Sequence, residues 1–158
     1  PIIFICENNF YSVYSSLKVR QPKKRKISEM VKGLGIKSLS GDGYNIENTF
    51  KNLKKSSEFV KKGNGPIFLE FKTYRYLEHC GPDNDDILNY RNVKEVKNWL
   101  LKDPLKILKN KILKQKIINK KNLEKIDSGI IKKILIAFKF AEISKFPSNK
   151  DFYKNLYV

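Results

Sequence analysis

Apolar and polar positions along the chain change period several times, and each change marks an element. Ile2 to Cys6 is a continuous apolar run rich in β-branched residues, which predicts a buried parallel strand ending in the polar turn Glu7-Asn8-Asn9. A short helical stretch from Ile27 to Leu34 is stopped by Gly33 and Gly35, and a weak strand follows at Ile36 to Leu39, closed by the turn Ser40-Gly41-Asp42-Gly43. Asn45 can cap a helix in which Ile46, Phe50, Leu53 and Phe59-Val60 lie near helical spacing through Lys62. Gly63-Asn64-Gly65-Pro66 ends that helix, and Ile67 to Phe71 predicts a second buried strand. Strand, helix, strand, helix, strand is the order of an α/β fold with a parallel sheet.

The texture changes after Tyr76. Glu78 to Asn92 is a polar loop containing Gly81-Pro82-Asp83-Asn84-Asp85-Asp86. From Val93 the pattern is helical, with a break and restart at Asp103-Pro104, since proline suits the first turn of a helix. Further helices are predicted over Pro104 to Leu113 and Lys121 to Ile143. The tail, Phe146 to Val158, carries Phe152, Tyr153, Leu156 and Tyr157, and so many aromatics predict packing on this chain or on a neighbour. A chain that opens on a buried strand without methionine is expected to continue upstream.

Composition narrows the classes. At 158 residues and 41% hydrophobic content the chain can build a real core. No apolar run reaches the ~20 residues of a membrane span, and Pro1 to Cys6 lacks the basic flank and cleavage site of a signal peptide, so a soluble, cytoplasmic protein is expected. Cys6 and Cys80 have no metal-ligand spacing and are expected to be reduced thiols. The net charge of +17 admits a non-enzymatic basic module that binds nucleic acid or another anionic partner through Lys18, Lys23, Lys24, Arg25 and Lys26. Against that reading, the lysines are dispersed along predicted helices and arginine occurs only at positions 20, 25, 75 and 91. A solvated surface accounts for such a distribution.

Two residues invite chemistry and also have bland readings. Asn8-Asn9 is by itself an ordinary turn, and His79, the single histidine, is by itself an exposed loop or capping residue. Four stretches in order and register alter that balance: PIIFICENNFYSV at the start, SGDGYNIENTF from Ser40, GNGPIFLEFKTYRY from Gly63, and the Tyr90-Arg91 pair followed by EVKNWLLKDPL. Together they resemble the α subunits of the thiamine-diphosphate-dependent 2-oxoacid dehydrogenase E1 components, the pyruvate, branched-chain and acetoin enzymes, over essentially the whole chain. The closing Tyr157 fits as well.

The resemblance implies a C-terminal portion of such a subunit: the end of the α/β cofactor-binding domain over 1–80, and an active-site loop with a helical extension of the same domain over 81–158. In the family the cofactor motif opens with Gly-Asp-Gly and closes with Asn-Asn about 30 residues later; here only the closing half is present, and Gly41-Asp42-Gly43, which follows the Asn pair, corresponds to a different turn. By the resemblance, Asn9 supplies a side-chain oxygen and Tyr11 a main-chain oxygen to Mg²⁺, whose near-octahedral oxygen shell the cofactor diphosphate completes. His79 falls on the active-site loop, contacting cofactor and substrate, where an imidazole can orient the reacting group and carry protons. Tyr74 and Arg75 brace that loop, and Arg91 makes structural ion pairs. The implied partners are an E1 β subunit in an α₂β₂ heterotetramer and a lipoyl-bearing E2 acyltransferase, with a 2-oxoacid as substrate and acyl transfer to lipoyl as outcome. The loop departs from the common Gly-His-Ser pattern: it reads Glu78-His79-Cys80-Gly81-Pro82, with Cys80 where mitochondrial-type enzymes carry a phosphorylated serine.

Overall fold

Residues 1–154 are described by the structure, a computed structural model. In chain order the elements are strand β1 (Ile3–Asn8), the short strands β2 (Tyr11–Ser12) and β3 (Ser15–Ser16), helices α1 (Leu17–Arg20) and α2 (Ile27–Gly33), strand β4 (Lys37–Asp42), helix α3 (Ile46–Lys61), strand β5 (Ile67–Lys72), and helices α4 (Val93–Leu100), α5 (Pro104–Lys114) and α6 (Lys120–Ile143). Single turns of 3₁₀ helix occupy Asp86–Leu88 and Asp151–Tyr153. The chain forms two compact units, Pro1–Asn110 and Lys111–Val158.

In the first unit, β1, β5 and β4 form a parallel sheet in that order, so the last strand in sequence is central. Ile3, Ile67 and Lys37 are level at one end, and Asn8, Lys72 and Asp42 at the other. This is the α/β fold that the alternation of patterns predicts. Central position explains the burial of Ile67, Leu69 and Phe71, each at most 5% exposed. The same logic corrects the expectation for β1. It is a sheet-edge strand within this chain, with Phe4 45% and Ile5 56% exposed, although its composition is that of a buried strand. It also runs two residues further than its apolar stretch, to Asn8.

Side chains cap several of the helix starts, Asn45 at the position the sequence predicts. The Asn45 side chain accepts from the Asn48 N–H at 3.0 Å and caps α3, which turns Ser56 and Val60 inward as buried residues. Phe50, on the flank of that face, stays 66% exposed. Asn92 caps α4 through the Lys94 N–H and Asn119 caps α6 through the Asn122 N–H. At α5, Asp103 Oδ1 accepts from the N–H groups of Leu105 and Lys106, at 2.9 and 3.2 Å, with Pro104 in the first turn. Asn45→Ala should lower stability by about 1 kcal/mol, the usual worth of such a cap. A urea midpoint unchanged from the parent would show that α3 is held by packing alone.

In the second unit, α6 exposes Ile130, Ile134 and Phe138, and the tail residues Phe146, Phe152 and Tyr153 are exposed too. Phe152 and Tyr153 touch edge-on, 5.4 Å apart. Leu156 and Tyr157 lie outside the described residues. Cys6 and Cys80 are free. Among the described residues no helix is long and apolar enough to cross a membrane.

Candidate functional site

The sheet's carboxyl end is where an open parallel sheet commonly receives a ligand, because the connecting loops diverge there. Here the turn after β1 is built by two overlapping side-chain hydrogen bonds: the Phe10 N–H donates to Asn8 Oδ1 at 3.1 Å, and the Tyr11 N–H to Asn9 Oδ1 at 3.0 Å. Phe10 takes a left-handed φ of +66° and Val13 one of +55°, which reverses the chain into the β2–β3 hairpin. The Phe10 carbonyl accepts from the Leu17 N–H at 2.7 Å and closes the structure at its base.

The two asparagines have different work. Asn8 is buried, and its Nδ2 donates to Glu70 Oε1 at 2.7 Å, while the Ser28 N–H donates to Glu70 Oε2 at 2.9 Å. The Asn8 carbonyl also accepts from the Thr73 N–H. Asn8 thus joins β1, α2 and β5 through a carboxylate that is only 6% exposed. Asn9 is half-buried and, among the described residues, its amide oxygen serves the Tyr11 N–H alone, which leaves one of its two lone pairs to other donors or an ion. Burial, then Glu70 and Glu7, push the Cys6 thiol up, so it is a poor nucleophile beside this cluster.

Behind the turn stands an aromatic cluster. The Tyr11 hydroxyl donates to Glu95 Oε1 at 2.9 Å; burial and then this bond push its pKa up to about 12, so it stays a donor at neutral pH. Tyr74 stacks on Trp99, with centroids 5.3 Å apart and planes 7° from parallel, and Phe10 lies 5.8 Å from the same indole. Arg75 Nη2 donates to the Val13 carbonyl at 2.7 Å and to the Tyr90 hydroxyl at 2.9 Å, which ties the hairpin to the far end of the loop.

That loop, from Thr73 to Asn92, is held at its end by a buried pair. Arg91 Nη2 contacts Asp85 Oδ1 and lies 3.0 Å from Asp86 Oδ1, while Nη1 donates to the Arg75 carbonyl at 2.6 Å. The Tyr90 hydroxyl donates to the other Asp85 oxygen at 2.7 Å. Arg91 thus has the ion pairs expected of it, and Arg75 is a brace. His79 and Cys80 sit on the exposed part of the loop, and no hydrogen bond among the described residues joins His79 to Asn9 or Tyr11. The Glu78 N–H donates to the Asp83 carbonyl and closes the loop just before the histidine.

A cleft of about 450 Å³ opens at this end of the sheet and is lined by Asn8, Ser28, Glu70 and Lys72, with Arg25 and Lys26 at the mouth. Lys23 to Lys26 are all exposed, as a loop after Pro22 should be. Gly43 belongs to packing: a β-carbon there would come within 2.7 Å of the Thr73 methyl and 2.9 Å of the Lys72 carbonyl. No group of three or more His, Cys, Asp and Glu that could hold a metal occurs among the described residues. Amide and main-chain oxygens are a donor set suited to Mg²⁺. Asn9, through its second lone pair, and the Tyr11 carbonyl on the same turn fit as part of such a set. Glu70 and Glu95 carried no signal in the sequence, since their partners lie 42 to 84 residues away.

The family model described as "Dehydrogenase E1 component" matches residues 1–150. Among curated proteins, the chain is 32% identical over 157 residues to a pyruvate dehydrogenase E1 component subunit alpha of Rickettsia felis, covering 99% of this chain and 47% of that protein. It is 33% identical over 159 residues to the protein of the same name from Zymomonas mobilis, covering 100% and 44%. To the somatic mitochondrial form of Bos taurus it is 29% identical over 160 residues, covering 99% and 39%. The chain spans about half the length, or less, of these curated relatives.

Proposed function

The chain belongs to the dehydrogenase E1 component family, and on that premise we propose that it is the C-terminal portion of the α subunit of a thiamine-diphosphate-dependent 2-oxoacid dehydrogenase. The turn at the end of β1 carries the proposal: Asn9 and Tyr11 lie on it, joined by the Tyr11 N–H to Asn9 Oδ1 bond, in a chain that matches the family over residues 1–150. The Asn9 amide oxygen and the Tyr11 carbonyl would hold Mg²⁺, and through it a diphosphate. When bound, thiamine diphosphate supplies the carbon nucleophile and the electron sink that loss of CO₂ from a 2-oxoacid requires.

The chain's own residues then have distinct tasks. The Asn8–Glu70–Ser28 bonds fix the end of β1 against the sheet. His79, on a loop anchored by Arg91 and Asp85, would act at the substrate end, orienting the reacting group and carrying a proton. Cys80 removes the site at which mitochondrial-type relatives are phosphorylated. A β subunit in an α₂β₂ heterotetramer would supply the groups around the cofactor's pyrimidine, and a lipoyl-bearing E2 acyltransferase would take the acyl group, in the cytoplasm.

The test is calorimetric titration of thiamine diphosphate into the complete heterotetramer at several Mg²⁺ concentrations. Asn9→Ala should weaken binding at limiting Mg²⁺ by roughly a hundredfold, the upper end of what loss of even an outer-shell partner costs. Excess Mg²⁺ should restore part of it. Asn8→Ala leaves the buried Glu70 Oε1 without its donor, so it should cost about 1–3 kcal/mol of stability with a milder effect on the metal dependence than Asn9→Ala. Parental cofactor binding by the Asn9 variant at limiting Mg²⁺ would remove the main support for the thiamine reading.

A further inference from the structure

We infer that Glu95 is a positioning residue for the Asn9–Tyr11 turn, acting through the Tyr11 phenol; the inference rests on the metal-site reading above. The turn needs support from outside itself. Phe10 has a φ of +66°, a left-handed conformation disfavoured for so bulky a side chain, and Val13 repeats it three residues later. Neither Asx bond spans beyond two residues, so the local hydrogen bonds shape the turn without fixing where it points.

Helix α4 provides the fixed point. Its first turn is capped by Asn92, and Val96 is buried, so the helix is anchored against the first unit. Glu95 and Trp99 stand one turn apart on it, on the same face. Glu95 accepts from the Tyr11 hydroxyl at 2.9 Å, and Trp99 meets the Phe10 ring at 5.8 Å, so two consecutive residues of the turn are gripped by two consecutive turns of the helix. Edge-on contacts from Tyr74 and Tyr90, at 6.4 and 5.7 Å, close the remaining sides of the Tyr11 ring. Held by Glu95, Tyr74 and Tyr90, the ring fixes its own Cα, and with it the plane of the peptide whose carbonyl would meet the metal.

An ordinary ion pair does not explain the carboxylate. Among the described residues no lysine or arginine lies within ion-pair distance of Glu95, and its partner is a neutral phenol. A phenol-to-carboxylate bond is charge-assisted and short-ranged, which suits a group that must set a direction. Supporting partners of metal ligands commonly change metal affinity 10- to 100-fold when removed, and one acting through a main-chain carbonyl belongs at the lower end.

The experiment measures, in the complete heterotetramer, the Mg²⁺ concentration for half-maximal thiamine diphosphate binding and the melting temperature of each variant. Tyr11→Phe, which deletes one oxygen and leaves the fold, and Glu95→Ala should each raise the Mg²⁺ midpoint about tenfold. Glu95→Gln keeps an acceptor and should recover most of the difference, and the Tyr11→Phe/Glu95→Ala double variant should be no worse than either single one. Parental Mg²⁺ midpoints in Tyr11→Phe and Glu95→Ala, whatever the melting temperature does, would overturn the inference and leave Glu95 as packing. Asn9→Ala separates the two levels. If it raises the Mg²⁺ midpoint while the Tyr11 and Glu95 variants do not, only the positioning role falls; if it too behaves as the parent, the metal reading falls and takes this inference with it.

Discussion

Arg91→Ala is expected to destabilise the first unit by about 3–5 kcal/mol, the cost of breaking a buried ion pair from one side. Its side chain is 1% exposed and that of Asp85 4%, so water cannot replace the guanidinium. Removing it leaves the Asp85 carboxylate buried with the Tyr90 hydroxyl as its remaining donor, and leaves the Arg75 carbonyl without the 2.6 Å bond it now accepts. The guanidinium also lies 5.0 Å from the Tyr90 ring centre and 5.8 Å from that of Tyr74, contacts an alanine cannot make. Trp99 is the single tryptophan and is stacked on Tyr74, so its fluorescence in a urea titration reports on this region. Lys26→Ala, which removes an exposed pair with Glu29, should leave stability nearly unchanged. If the Arg91 variant lost no more than the Lys26 variant, the pair would not be the anchor of the loop.

For His79→Ala the expected loss is in turnover of the complete enzyme, by roughly a hundred- to ten-thousandfold, the range of a positioned acid–base group. Cofactor affinity should stay close to the parent. That contrast follows from geometry: His79 lies on the exposed part of a loop whose end is fixed, and no hydrogen bond among the described residues joins it to the Asn9 turn. Removal of the imidazole therefore spares both the turn and the braces made by Arg75 and Arg91. Cys80→Ser, one position on and equally exposed, should leave basal turnover nearly intact. Steady-state rates with a set of 2-oxoacids and an artificial electron acceptor check both variants. Parental turnover in the His79 variant would return that residue to an ordinary exposed histidine.

The residue pattern was enough to specify the local elements. A mostly apolar run made β5, Asn45 made a helix start, and Asp103-Pro104 made the restart at α5, because each depends on groups within a few residues of one another. It also drew attention to Asn9, through the polar turn that ends the first apolar run and through resemblance in three other stretches. The β2–β3 hairpin escaped notice because two-residue strands are too short to show a period. Tertiary structure alone decided the rest. It placed β5, the last strand in sequence, at the centre and β1 at the edge, so two similar apolar runs ended with opposite exposure. It separated the roles of two adjacent asparagines, because Glu70, 62 residues from Asn8, holds only the first. Glu95 reaches Tyr11 across 84 residues. Bonds of that separation leave no periodicity in the chain; they form only when packing brings distant segments together, and the energy that selects them belongs to the folded core rather than to either segment.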